Sequence, residues 1–120
     1  EDDTLVKAIV DRGIGLTVCP VSNVFVVQDS RSAELKTMLD RGIRATVNTD
    51  DPAYFLGYMN ENLKVAQREG SLTAEEMAQL MRNAFEISWA TEAAKAKYLL
   101  QLDEYLEAAG LKTAFSPPLV

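Results

Sequence analysis

Apolar residues recur at helical spacing in two early stretches, Leu5, Val6, Ile9 and Val10, then Leu35, Met38 and Leu39. Asp3 and Ser32 stand where the N-caps of these helices are expected. Each stretch ends at a glycine, Gly13 or Gly42, suited to a left-handed C-cap. After each glycine comes a β-branched run, at 14–19 and 43–48, too brief for a helix and rich in strand formers. The two units share a short repeat: Asp11-Arg12-Gly13-Ile14 recurs as Asp40-Arg41-Gly42-Ile43, which lays Thr17-Val18 over Thr46-Val47. Chance similarity between two αβ units would leave the predicted order unchanged: helix, strand, loop, helix, strand, loop.

Two strands joined through a helix run parallel, with a right-handed crossover. Such strands are usually covered on both faces, as their nearly continuous apolar character suggests. Two strands do not complete such a sheet. Either another chain completes it or the sequence is a piece of a larger α/β protein, and the piece is the favoured expectation.

Beyond residue 57 the pattern is helical. A short helix is expected from 60 to about 69, ending at Gly70. Thr73-Ala74-Glu75-Glu76 is a capping box that opens a helix with Met77, Leu80, Met81, Ala84 and Phe85 on one face. Thr91 is expected to cap a last helix, with Ala96, Leu99, Leu102 and Leu106 inward and Gly110 at its end. Ser116-Pro117-Pro118 prevents any further helix. These stripes, with Trp89, are expected to be core. The organisation expected is an αβαβ piece over 1–57 and C-terminal helices over 58–120.

Composition narrows the chemistry. The 120 residues are 48% hydrophobic and 25% charged, enough for a globular core. Net charge is −6, with six Lys/Arg and nine Asp/Glu in each half, so a binder of phosphate backbones is not expected. The single cysteine, Cys19, excludes an internal disulfide and suits a reducing compartment. No apolar run is long enough to span a bilayer and no basic-then-apolar leader is present; a cytoplasmic protein with no membrane partner is expected. Histidine is absent, so the chain has no imidazole base or metal ligand.

In a parallel α/β sheet, function gathers beyond the C-terminal ends of the strands. The loops expected there are Cys19-Pro20-Val21-Ser22-Asn23 and Asn48-Thr49-Asp50-Asp51-Pro52-Ala53-Tyr54-Phe55. Adjacent carboxylates such as Asp50 and Asp51 point in different directions. One can bind a metal while the other accepts a hydrogen bond from a ligand; a solvated turn and helix start is the ordinary alternative. Cys19 reads as a small buried residue, since nothing basic lies beside it in sequence to stabilise a thiolate. Ser22 and Asn23 can orient neighbours or simply turn the chain. Tyr54, Phe55 and Tyr58 can wall an aromatic ligand or pack the loop.

The Cys-Pro-Val-Ser-Asn block, the Asn-Thr-Asp-Asp-Pro block, the interval between them and the helical tail with Leu72-Thr73-Ala74-Glu75-Glu76-Met77 and Asn83-Ala84-Phe85 together resemble the C-terminal part of the adenosine/adenine deaminase family of zinc amidohydrolases. Asp51-Pro52-Ala53-Tyr54-Phe55 followed by Gly57-Tyr58 looks more like the adenine branch. The resemblance implies a (β/α)8 barrel, of which 14–19 and 43–48 would be the seventh and eighth strands. It implies hydrolytic deamination of a purine at C6, with Asp50 as a zinc ligand and Asp51 receiving a hydrogen bond from a purine ring nitrogen. The family's other zinc ligands, and a further catalytic residue, are histidines. A chain without them is expected to be an inactive C-terminal fragment that binds no zinc alone, open to association with the missing barrel or with a second copy. The alternative is a small autonomous module, swapped into a dimer or binding a protein partner without catalysis, because unpaired strand edges invite pairing.

Overall fold

The computed structural model describes residues 2–111. In chain order the elements are α1 (Asp3–Asp11), β1 (Gly15–Val18), α2 (Pro20–Val27), α3 (Ser32–Asp40), β2 (Arg44–Val47), α4 (Pro52–Phe55), α5 (Met59–Gly70), α6 (Ala74–Glu86) and α7 (Glu92–Ala108). Ser116-Pro117-Pro118 lies outside the described residues.

The two strands pair in parallel, Gly15 opposite Arg44, Thr17 opposite Thr46 and Val18 opposite Val47. The register is the one obtained by laying the sequence repeat on itself. Both repeats end a helix in the same way. Gly13 (φ 62°) and Gly42 (φ 75°) take the left-handed conformation. Gly13 N–H donates to Val10 O and Ile14 N–H to Ile9 O; Gly42 N–H donates to Leu39 O and Ile43 N–H to Met38 O. These are Schellman closures, which satisfy the last carbonyls and turn the chain into the strand. Gly110 ends α7 likewise.

β2 is the buried strand. Ala45, Thr46 and Val47 are covered by α3, α5 and α6, and the core joins Val18, Leu35, Ala45, Val47, Ala66, Leu72 and Leu80. Asn83 of α6 is buried and donates from Nδ2 to Ala45 O at 2.8 Å, so the polar side chain is satisfied where it crosses the strand. β1 is less covered: only Val18 is buried, and Thr17 is exposed among the described residues.

Several details differ from the sequence reading. Asp2, not Asp3, caps α1, accepting from Leu5 N–H. Ser32 is the first residue of α3, and Arg31 holds the cap position in a left-handed conformation with no side-chain cap. The expected loop at 19–23 is a helix: Pro20 supplies a preset first turn, and α2 runs to Val27. The helix expected to stop at Gly70 includes it, and Ser71 takes the left-handed position. Ala96 is exposed and Trp89 wholly so, whereas Leu106 is buried as expected. The capping box at Thr73 and Glu76 and the Thr91 cap form as read.

Gly70 has a packing reason. A Cβ there would lie 2.7 Å from the Ser32 carbonyl oxygen, so α5 meets the start of α3 backbone to backbone. Gly70→Ala gains up to about 1 kcal/mol of helix propensity but must push back main chain. A net loss of about 1–3 kcal/mol is expected from urea denaturation; a stabilised variant would contradict this packing.

The capping carboxylate of Glu76 also pairs with Lys36 of α3. The Lys36 ammonium first, and the Thr73 N–H after it, hold the Glu76 carboxyl below its ordinary range. Stability from this group is therefore complete above the usual glutamate pKa and lost as pH falls through the lowered one. Glu76→Gln is expected to flatten the acid limb of a denaturation–pH profile in that window, and an unchanged limb would refute the linkage.

Candidate functional site

The parallel register sets the C-terminal ends of β1 and β2 side by side. Asn48 N–H donates to Val18 O at 2.9 Å, extending the pairing one step. Thr46 Oγ1 donates to Leu16 O at 3.1 Å and accepts from Asn48 Nδ2 at 2.8 Å, so side chains also tie the strand ends together. Beyond them the chain departs into α2 on one side and towards Asp50 on the other.

The two sequence blocks meet. Ser22, buried in the first turn of α2, donates from Oγ to Asp50 Oδ2 at 2.7 Å. Asp50 has φ 58°, a left-handed conformation uncommon outside glycine, asparagine and aspartate. Asp51 faces another partner: its Oδ1 accepts from Tyr54 N–H at 3.2 Å and caps α4. The helix-start reading of Asp51 is therefore realised, and its carboxylate stays exposed beside Asp50.

Aromatic side chains of α2 and α4 pack on one another in the segments that follow the strands. Phe55 of α4 lies against Phe25 of α2 at 5.6 Å between ring centroids and edge-on to Tyr54 at 5.0 Å. Tyr54 and Tyr58 are themselves exposed. Asn23 does not reach the carboxylates; its Nδ2 donates to Ser30 O at 3.2 Å and closes the turn after α2.

Cys19 is half-buried at the end of β1. Burial first, and the nearby Asp50 charge second, push its thiol pKa up. It is a neutral thiol near pH 7, in keeping with a packing role. Among the described residues no three His, Cys, Asp or Glu side chains group to hold a metal. Asp50 offers one carboxylate, and with Cys19 nearby the donors still fall short of three among the described residues. These residues do not by themselves fit a zinc centre, which needs three or more protein ligands.

The sequence reading missed Asn62. This fully buried side chain of α5 accepts from Val21 N–H at 3.0 Å and donates to Gly57 O at 3.1 Å and Tyr58 O at 2.9 Å. Its partners lie as many as 41 residues away, and nothing local in Asn60-Glu61-Asn62 marks it.

Against known proteins, the sequence profile described as adenosine deaminase matches residues 1–105. The chain belongs to the adenosine deaminase family. Adenine deaminase of Hahella chejuensis is 47% identical over 109 residues, covering 89% of this chain and 33% of that protein. Adenine deaminase of Arthrobacter aurescens superposes with a TM-score of 0.78 at 35% identity, over 88% of this chain and 33% of that structure. An amidohydrolase from Burkholderia ambifaria, solved with bound zinc, shares the fold at a TM-score of 0.75 and 21% identity, over 89% of this chain and 31% of its own. The chain thus spans about a third of the length of the deaminases it matches. Its α/β arrangement is a portion of the larger deaminase fold, as the unfinished sheet led one to expect. No helix among the described residues is long and apolar enough to cross a membrane.

In this deaminase-family chain the Cys19 thiol is expected to alkylate with iodoacetamide only slowly near neutral pH. Its rate–pH midpoint should sit above the ordinary thiol range. Asp50→Asn should bring that midpoint part of the way down, because burial, the larger cause, remains. A midpoint unmoved by Asp50→Asn would separate the two groups electrostatically.

Proposed function

We propose that this chain is the C-terminal portion of a zinc-dependent purine deaminase, hydrolysing the C6 amino group of adenine in preference to adenosine, in purine salvage. In this reading the strands at residues 1–57 are the last two of a (β/α)8 barrel, and the helices at 58–120 pack on it. Asp50 contributes one carboxylate to the zinc centre, and Asp51 accepts a hydrogen bond from a purine ring nitrogen. The remaining ligands and the proton-transfer groups come from sequence outside these 120 residues, so the chain alone is inactive. Zinc, where bound, would supply an activated water.

The observation that supports this most directly is the Ser22–Asp50 hydrogen bond. It brings the Cys-Pro-Val-Ser-Asn and Asn-Thr-Asp-Asp-Pro blocks into one site at the strand ends. The adjacent carboxylates turn to separate partners, Ser22 for Asp50 and the α4 N-terminus for Asp51, as two distinct roles require. The Phe25, Tyr54 and Phe55 rings, packed on one another where α4 follows Asp51, suit a flat heteroaromatic ligand. That relatives carry the name adenine deaminase supports the free base over the nucleoside in this reading. Action in the cytoplasm is part of the proposal, supported by the single thiol.

The test is ammonia release from adenine and from adenosine by the full-length gene product, with its metal content measured. Turnover of adenine is expected from the full-length protein and none from the 120 residues. Asp50→Asn should lower bound zinc. Asp51→Asn should keep the zinc and lower kcat/KM by about ten- to a hundredfold, the worth of a hydrogen bond to a charged group. A zinc-loaded full-length protein that turns over neither purine would overturn the proposal.

A further inference from the structure

α2 begins in an unusual way. Its cap residue, Cys19, offers no side-chain oxygen, and Pro20 has no N–H. A first-turn donor such as Val21 N–H then needs an acceptor from elsewhere. Asn62 Oδ1 supplies it from α5, 41 residues away in sequence. The amide group of the same side chain donates to the carbonyls of Gly57 and Tyr58, where the chain leaves α4. Three of its four hydrogen-bonding positions are filled, all by main chain and all inside the protein. A second contact reinforces the clasp: a Cβ on Gly57 would lie 2.6 Å from Val21 Cγ1, so the turn after α4 is pressed against α2.

The residues so joined flank the carboxylates. Val21 adjoins Ser22, which holds Asp50. Gly57 and Tyr58 close the segment that starts at Asp51. We propose that Asn62 is a positioning residue of the deaminase site: by capping α2 and holding the turn after α4, it fixes the Ser22 hydroxyl against Asp50. It touches neither carboxylate and acts through Ser22. This rests on the deaminase reading above.

Two readouts on the full-length protein test it. The first is a double-mutant cycle on kcat for adenine with Ser22→Ala, Asn62→Ala and the double variant. Each single change is expected to lower kcat by about tenfold, since small misplacements at a reacting centre cost this much or more. The double variant should be no slower than the worse single, because Asn62 works through Ser22. Losses that multiply, or an Asn62→Ala protein of unchanged kcat, would overturn the proposal. Should Asn62→Ala fail to fold, Asn62→Asp carries the same cycle, keeping the acceptor for Val21 and losing both donations.

The second readout is amide exchange. Asn62→Ala is expected to speed exchange in the peptide over residues 20–25 by about tenfold while the peptide over β2 is unchanged. Equal exchange at 20–25 would overturn the clasp. If the wild-type protein deaminates neither purine, the deaminase reading falls, and exchange alone then decides whether Asn62 holds α2.

Discussion

The parallel register of two four-residue strands governs everything at this site. With Val18 beside Val47, the chain emerges from both strands at the same level. Ser22 and Asp50 lie a few residues beyond, close enough for a short hydrogen bond. A slip of one residue would shift one strand end past the other by about 3.3 Å and carry Asp50 out of reach of Ser22. The register is protected at its origin: two like Schellman closures deliver each strand from its helix at the same step. The repeat Asp-Arg-Gly-Ile thus has a physical meaning whatever its history, since it writes one helix exit twice.

Beneath the site the packing leaves little slack. β2 is roofed by three helices, and Asn83 is anchored to its main chain at Ala45. Gly70 lets α5 approach the first turn of α3 at backbone distance, and α5 in turn carries Asn62 to the foot of α2. These two contacts lead from the packed helices to the segment that holds Asp50. The left-handed backbone of Asp50, which costs energy in isolation, is held by surroundings fixed on both flanks.

Much of this was legible in the residues. Gly13, Gly42 and Gly110 marked their helix ends because the signal is local: a left-handed residue needs no side chain. Thr73 with Glu76 marked a start for the same reason. The strands and the pair Asp50-Asp51 were placed by order and pattern. Local signals failed where the partner was distant. Cys-Pro-Val-Ser-Asn reads as a loop because its cap lies in α5, not in its own sequence; Pro20 is its one local helix signal. Asn62 was invisible, since a buried amide bound to distant main chain looks in sequence like any surface asparagine. Ala96 and Trp89 read as core by type and are exposed in the fold, because a helical stripe marks an apolar face and not the partner that covers it.

Trp89 turns that last point to use. It is the chain's single tryptophan, and among the described residues its indole stands wholly in the open. Its fluorescence therefore comes from one known place, with the red-shifted emission of a ring surrounded by water. Any body that seats itself over that indole would shift the emission to the blue, so the molecule carries its own optical gauge of whether the connection between α6 and α7 is covered.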